Sequence, residues 1–303
     1  MALNDTNLHK QPQENHRIRM ALRVIVIAAL IASVGFGVFY FLARTLSPST
    51  SVVQPIRTSE LTKLDPVLID VQDVTQLEVS AGSSYLSIAP SPDLEGQHSV
   101  RIVESYPDDG SEHQSVTWDQ TGNVLRISHN EQGKMVWSNK VVEIEIAPSM
   151  LERLEIATVD CTSGEVKAMD LDCSQLRIAA QSGVVFVEEA RADNLQLEVS
   201  SGTAALSGIF DKVDIVVSSG DASLKVTGEP SSIVCDVSSG DVELSLPETT
   251  GFTAKTVANT GDVTFEQQVV EGAEGVVTYG DGKTQMDLTA ATGNIRVTLA
   301  DSL

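Results

Sequence analysis

The sequence predicts an all-β protein, a parallel, β-helix-like β-solenoid with turns of about 20 residues, preceded by one N-terminal transmembrane helix. Three observations support this prediction. In the C-terminal half, apolar and polar residues alternate on both sides of a recurring glycine, and the alternation changes phase at each of these glycines. In addition, one uncharged run near the N-terminus is long enough to cross a bilayer.

The uncharged run covers 24–42, VIVIAALIASVGFGVFYFL. A bilayer core of about 30 Å requires roughly 20 helical residues. Basic residues precede the run, so the positive-inside rule places the N-terminus in the cytoplasm and the remainder outside the cell. A cleaved signal peptide is the alternative, but the run is long for one and FLARTLSPS has no clear cleavage site.

These features predict a single-pass protein of the plasma membrane with an extracellular C-terminal domain. The predicted parts are a cytoplasmic tail 1–19, a transmembrane helix 20–45, a linker 46–66 and a β-strand-repeat domain 67–303. Within the span, small residues recur every four positions, a spacing that permits close pairing of two membrane helices in a homodimer. They are Ala29, Ser33 and Gly37.

Glycines mark the repeat, and residues at fixed distances from them share the same character. Residues seven, five and three positions before each glycine are apolar in every repeat except at Thr256, and the residues between them are mostly polar. This period of two indicates strands with one buried face. The glycines are Gly164, Gly183, Gly202, Gly220, Gly240, Gly261 and Gly293.

Each glycine is predicted to form a corner. The residues two and four positions after it are again apolar. From the last apolar residue before the glycine to the first one after it the chain advances by an odd number of residues, so a continuous strand could not keep both flanks facing the core. Positive φ or a bulge at the glycine would turn the chain. Stacked turns of this kind predict a solenoid with irregular first turns over 67–150, which act as a cap, and regular turns over 151–299. An antiparallel sandwich is the alternative. It explains the spacing of the strands, but it does not explain why the apolar alternation changes phase at every corner glycine.

The phrases VVEIEIAPSMLERLEIATVDCTSGEV (141–166), SSGD (twice), NTGDVTF and ATGNIRV resemble the bacterial putative-adhesin family of domains of unknown function. The resemblance extends over roughly 71–299. It implies a β-strand-repeat fold in a protein associated with the cell envelope, and it brings no catalytic residues.

Three aspartates directly follow corner glycines: Asp221, Asp241 and Asp262. In stacked turns they would lie one strand spacing apart, where a Ca²⁺ ion could bridge their carboxylates. The competing interpretation, which we favour, is that each aspartate caps its own turn by a hydrogen bond to the backbone. We predict no cofactor.

Aromatic residues and cysteines give weaker signals. Tyr106, Trp118 and Trp137 fall in the irregular turns, where they either plug the end of the solenoid or form a partner surface. Cys161 and Cys235 occupy core positions. Cys173 falls outside them and is the one candidate reactive thiol.

Composition limits the function classes. The net charge of −22 disfavours binding to nucleic acid. All five histidines precede the regular repeats, so a histidine-based catalytic site on the repeats is excluded. We predict a non-catalytic cell-surface adhesin or envelope-binding module whose partner is an envelope protein or a glycan. An accessory protein of envelope-stress signalling is the alternative, and a polysaccharide-active enzyme is a weaker one.

Overall fold

The computed structural model describes residues 61–107, 115–129, 140–266, 270–271 and 275–300. They belong to one of the two compact units of the chain, Ser59–Leu303. Apart from a 3₁₀ turn at Pro92–Leu94 and the one-turn helix α1 (Pro148–Leu151), the regular structure in these ranges is β. The all-β character is confirmed.

The described strands form a single curled sheet of 22 members. The N-terminal strands are β1 (Leu61–Lys63), β2 (Val67–Asp70), β3 (Gln76–Ala81), β4 (Tyr85–Pro90), β5 (Ser99–Pro107), β6 (Thr117–Thr121), β7 (Val124–His129) and β8 (Val141–Ile146). The central strands are β9 (Ile156–Cys161), β10 (Glu165–Met169), β11 (Asp172–Ala180), β12 (Val184–Val199), β13 (Thr203–Val217), β14 (Asp221–Val226), β15 (Ser232–Val237) and β16 (Asp241–Pro247). The C-terminal strands are β17 (Phe252–Ala258), β18 (Asp262–Phe265), β19 (Val270–Glu271), β20 (Val276–Tyr279), β21 (Thr284–Ala290) and β22 (Asn294–Ala300).

Parallel pairing builds two ladders in this sheet. The first ladder contains the strands that precede the corner glycines, in the order β7–β3–β9–β11–β12–β13–β15–β21–β17. The second contains the strands that follow them, in the order β8–β4–β10–β12–β13–β14–β16–β22–β18. Equivalent residues are in register, as with Leu195, Val213 and Ile233.

The alternating apolar residues of both ladders form the hydrophobic core. Positions predicted to face inward are buried, including the whole set Val213, Ile215 and Val217 of β13. The exceptions lie in β17 and β18, the outermost strands at one end of the ladders: Thr256, Ala258, Val263 and Phe265 are half-buried or exposed. Burial therefore follows the period-2 pattern until the stack ends.

The prediction of a parallel solenoid with one turn after another is wrong. At one end β7–β8 stack outside β3–β4, although they come later in the chain. At the other end β21–β22 lie between β15–β16 and β17–β18. Thus the first and last repeats of the described chain are inside the stack, and their sequence neighbours cover them.

Antiparallel strands flank both ends, which also departs from an all-parallel solenoid. β5 pairs with β8 and, on its other side, with β1 and β2. β6 forms a hairpin with β7. At the opposite end β20 pairs with β17 and β19. These strands pair with backbone groups of the outer parallel strands that would otherwise lack partners.

The predicted membrane topology also needs correction. No helix within the described ranges is both long and apolar enough to span a bilayer, which contradicts the prediction of a single-pass membrane protein. The proposed tail 1–19, the span 20–45 and its pairing stripe Ala29, Ser33 and Gly37 lie outside the described residues.

The corner glycines are required for a reason other than the predicted one. None of the seven has positive φ. Instead, each backbone stacks closely on the next: a Cβ on Gly240 would lie 1.7 Å from the carbonyl oxygen of Gly220, and one on Gly261 would lie 1.8 Å from that of Gly293. The column excludes side chains because the neighbouring carbonyl occupies the space of a Cβ.

Candidate functional site

The three corner aspartates do not form an uninterrupted column. Asp221 and Asp241 are in register on neighbouring strands β14 and β16. β22 then intervenes, so that Asn294 lies between Asp241 and Asp262. The exchanged order of the last two repeats therefore places a neutral amide between two carboxylates.

The side chains of this column hydrogen-bond to the neighbouring strand. Asp221 Oδ1 accepts from the backbone N–H of Asp241 at 3.4 Å, and Asn294 Oδ1 accepts from that of Asp262 at 3.3 Å. Asn294 Nδ2 donates to Asp241 Oδ1 at 2.7 Å. The favoured interpretation as backbone caps is thus modified, since the hydrogen bonds shown link adjacent turns.

We expect no calcium-dependent rise in the melting temperature of the purified protein at millimolar Ca²⁺. Asn294 already donates to Asp241 and separates it from Asp262, which leaves two adjacent carboxylates, whereas Ca²⁺ requires six to eight oxygen ligands. Asp241→Asn should retain stability or raise it slightly, because it removes repulsion from Asp221. Thermal unfolding with Ca²⁺ and with EDTA measures this. A rise of several degrees that Asp241→Asn abolishes would contradict it.

The predicted aromatic surface is only partly within the described chain. Trp118 lies on β6, is 45% exposed and pairs in register with Ile127 of β7. Tyr106 is half-buried on β5, opposite Thr62. Trp137 lies outside the described residues. Trp118 and Tyr106 thus belong to the same end of the sheet, on different strands.

A buried ion pair holds this end together. Lys140 Nζ pairs with a carboxylate oxygen of Glu104, and the two side chains are 1% and 8% exposed. The same Glu104 oxygen accepts a hydrogen bond from the backbone N–H of Val116 at 3.1 Å. Because Val116 immediately precedes β6, Glu104 fixes the start of the strand that carries Trp118.

His98 lies close to a serine hydroxyl and an arginine. Its Nδ1 is 3.3 Å from Ser149 Oγ and 3.5 Å from a guanidinium nitrogen of Arg153. Ser149 Oγ donates to the carbonyl oxygen of Gln97 at 2.5 Å. The hydroxyl proton therefore points to a carbonyl, and the arginine faces the imidazole nitrogen that would act as a base.

Two cavities open on the described surface. One of about 370 Å³ lies beside His98 and is bordered by Leu68, Asp70, Gln72 and Gln97. The other, of about 490 Å³, lies at the opposite end of the first ladder, where Thr250, Asp281 and Lys283 contribute to its wall. Among the described residues, no group of three or more His, Cys, Asp or Glu is arranged to hold a metal ion.

Residues 71–298 match the family model described as Toastrack DUF4097. The chain belongs to the Toastrack DUF4097 family. This confirms the resemblance of the repeats to the putative-adhesin family. As a family of unknown function, it assigns no site residues to this chain. No curated protein matches the sequence.

Several solved structures are similar to this Toastrack chain. A putative adhesin from Bacteroides fragilis is 14% identical and has a TM-score of 0.45, covering 81% of this chain and 100% of its own. A putative adhesin from Parabacteroides merdae is 11% identical with a TM-score of 0.43, covering 79% and 97%. A putative cell adhesion protein from Clostridium sporogenes is 12% identical with a TM-score of 0.34, covering 79% and 100%.

The Toastrack core buries all three cysteines, and the prediction that Cys173 is a reactive thiol is wrong. Cys173 is 7% exposed and belongs to the hydrophobic core. Burial raises the pKa of Cys173 and of Cys235 to about 12 and that of Cys161 to about 11. Because the thiolate is the reactive form, these side chains act as small apolar residues at neutral pH.

Sequence reasoning missed the 490 Å³ cavity of this Toastrack domain. Its wall comes from three connections, 227–231, 248–251 and 280–283, that are distant in sequence and meet because β15, β21 and β17 are neighbours. The one available signal was the phrase YGDGK (279–283), in which glycines flank an aspartate as in a tight turn.

Proposed function

We propose that this chain is a non-catalytic, adhesin-like binding module that docks a partner protein on the edge of its sheet at β6. One observation carries the proposal: β6 is exposed at all five residues and presents Trp118, which is 45% exposed. Within the described ranges β7 is the one strand that pairs with β6. An exposed edge strand can hydrogen-bond to an extended segment of another protein.

Trp118 supports this docking surface by its position. Residues directly opposite in an antiparallel pair project from the same face. Trp118 lies opposite Ile127, which is buried in the core, and Gln120 lies opposite the buried Leu125. Trp118 therefore continues the apolar face of the core to the sheet edge, and tryptophan is enriched among the residues that dominate interface energies.

The surroundings of His98 support a non-catalytic function. A serine nucleophile requires a histidine that accepts its proton. Here the hydroxyl of Ser149 donates to the carbonyl of Gln97, and Arg153 faces the imidazole nitrogen nearest to Ser149. The arrangement serves to fasten α1 to the loop that precedes β5.

Site-specific photo-crosslinking tests the docking surface in native cells. A photoreactive amino acid at position 120 of β6 should crosslink one defined protein, whereas the same group at position 257 should not. Val257 is 56% exposed on β17, at the far end of the first ladder.

The partner identified in this way is then purified and its affinity for the full chain is measured. We expect Trp118→Ala to weaken binding by at least about tenfold, in line with the loss of a central aromatic anchor. Val257→Ala should leave the affinity unchanged. Equal crosslinking from both positions, crosslinks to glycan in place of protein, or full affinity of Trp118→Ala would each overturn the proposal.

A further inference from the structure

We propose that the 490 Å³ cavity at the C-terminal end of the stack is a binding site for a neutral sugar. The site is separate from the β6 edge, so the proposal goes beyond the proposed docking function. We call it the threonine cavity; its wall includes Glu229, Ser231, Thr249, Thr250, Asp281 and Lys283. Its volume is within the usual range of small-molecule sites.

The threonine cavity exists because the last repeat is inserted into the stack. β15, β21 and β17 are consecutive parallel strands of the first ladder, so the connections that lead into them lie side by side. The backbone N–H of Thr284 donates to Gly251 O at 3.0 Å, and that of Gln285 donates to Ser231 O at 3.1 Å. The three connections are therefore fastened to one another before any ligand binds.

A tight turn forms one side of the threonine cavity. Gly280 and Gly282 have φ of 59° and 69°, in the left-handed region that favours glycine, and Asp281 lies between them. Asp281 approaches the opposite connection so closely that a Cβ on Gly251 would lie 2.3 Å from its Oδ1. Lys283 Nζ pairs with Asp281 Oδ2 at 2.5 Å, and the backbone N–H of Lys283 donates to Asp281 Oδ1 at 3.3 Å.

The polar groups of the wall suit a molecule with several hydroxyls. Thr249 and Thr250 supply hydroxyls that both donate and accept, whereas the hydroxyl of Ser231 donates to Asp211 O at 3.1 Å and can only accept from a ligand. Glu229 and Asp281 supply acceptors, and the ammonium of Lys283 supplies donors. A sugar presents adjacent hydroxyls that donate to carboxylates and accept from an ammonium or a hydroxyl. An anion is disfavoured because two carboxylates face one ammonium.

Thr250 gives an independent indication of a ligand. Its side chain is 1% exposed, and its hydroxyl oxygen makes no hydrogen bond to the described part of the chain. A buried hydroxyl without a partner is destabilising by about 1–3 kcal/mol, so such groups are rare in native proteins. By contrast, Thr284 in the same wall donates to Pro230 O at 2.6 Å. Because this oxygen has almost no accessible surface, it would pair with a bound sugar hydroxyl once the side chain turns toward the cavity that Thr250 lines.

Saturation-transfer NMR with the full chain tests this proposal against glucose, galactose, mannose and N-acetylglucosamine. We expect at least one of these sugars to bind with millimolar affinity. Thr250→Val should weaken that binding by about fivefold while the melting temperature stays the same or rises, because the variant removes an unpaired hydroxyl. Glu229→Gln, a substitution at an exposed position, should also weaken sugar binding.

Two controls separate this site from the rest of the molecule. Thr289→Val changes a half-buried threonine near the other end of β21 and should leave sugar binding intact. Trp118→Ala should also bind the sugar normally, so a failure of the β6 proposal would not affect this result. Absence of a signal with every sugar of the panel, or undiminished binding by both Thr250→Val and Glu229→Gln, would overturn the assignment.

Discussion

Replacing Gly240 by alanine is expected to lower the free energy of unfolding by at least about 3 kcal/mol. The new Cβ would lie 1.7 Å from the carbonyl oxygen of Gly220 and 2.8 Å from Val217 Cγ1. Because the nearest atom belongs to the backbone of a paired strand, rotation of a side chain cannot relieve the contact. Two turns at the centre of the stack would have to separate. Urea unfolding followed by circular dichroism measures the change.

Gly228→Ala is the matched control. The nearest atom to its Cβ is Cγ2 of Ile209, at 3.0 Å, and Ile209 is partly exposed and able to shift. The control should alter stability by less than about 1 kcal/mol. If Gly240→Ala yields no soluble protein, Gly183→Ala offers a milder case, since its Cβ meets Cys161 Sγ at 2.4 Å and Gly164 O at 2.7 Å. Equal stability of the corner variants and the control would refute steric exclusion at the corner.

The buried face could be predicted from the sequence because it is a local property. Each strand must bury its apolar alternate residues, whichever strand lies beside it, so Val213, Ile215 and Val217 face the core as expected. The need for glycine at the corner was also visible. The reason for that need could not be predicted, because a positive φ and a close approach of two backbones both require glycine.

The order of the strands could not be predicted from the repeat alone. Every repeat presents the same apolar columns, so local pattern does not select which repeat stacks on which. The interval from Gly261 to Gly293, longer than the others, was the one signal of an irregularity. It contains β19 and β20, which carry the chain past β17 so that β21 enters the stack on its inner side.

Errors about the candidate sites follow from this missed order. The aspartate column was predicted as three successive turns, and the inserted strand β22 places Asn294 within it. The threonine cavity depends on the same insertion, because Asp281 and Lys283 reach the connection before β17 only when β21 lies beside β17. The pairing of Asp221 with Asp241 could be predicted from the sequence. The contacts that depend on the order of the strands in the sheet could not.

Val217→Asp is expected to destabilise the protein by several kcal/mol at neutral pH, about 3–5 kcal/mol. Val217 is fully buried in β13, in register between Val199 and Val237, so its neighbours above and below are apolar. A carboxylate at this position would lack a counter-ion and would lose its hydration. The measurement is chemical unfolding of the variant and the parent protein across a range of pH.

The pH dependence and a surface control identify the cause of this loss. An aspartate buried at position 217 would have a pKa raised above its unfolded value of about 3.9, so the penalty should be smallest below about pH 4 and grow as the pH rises toward the folded-state pKa. Ser223→Asp adds the same group to the exposed face of β14, beside Glu243 in register, and should cost less than about 1 kcal/mol through like-charge repulsion. Equal losses for the two variants, or a Val217→Asp penalty that does not change with pH, would mean that position 217 does not face a dry core.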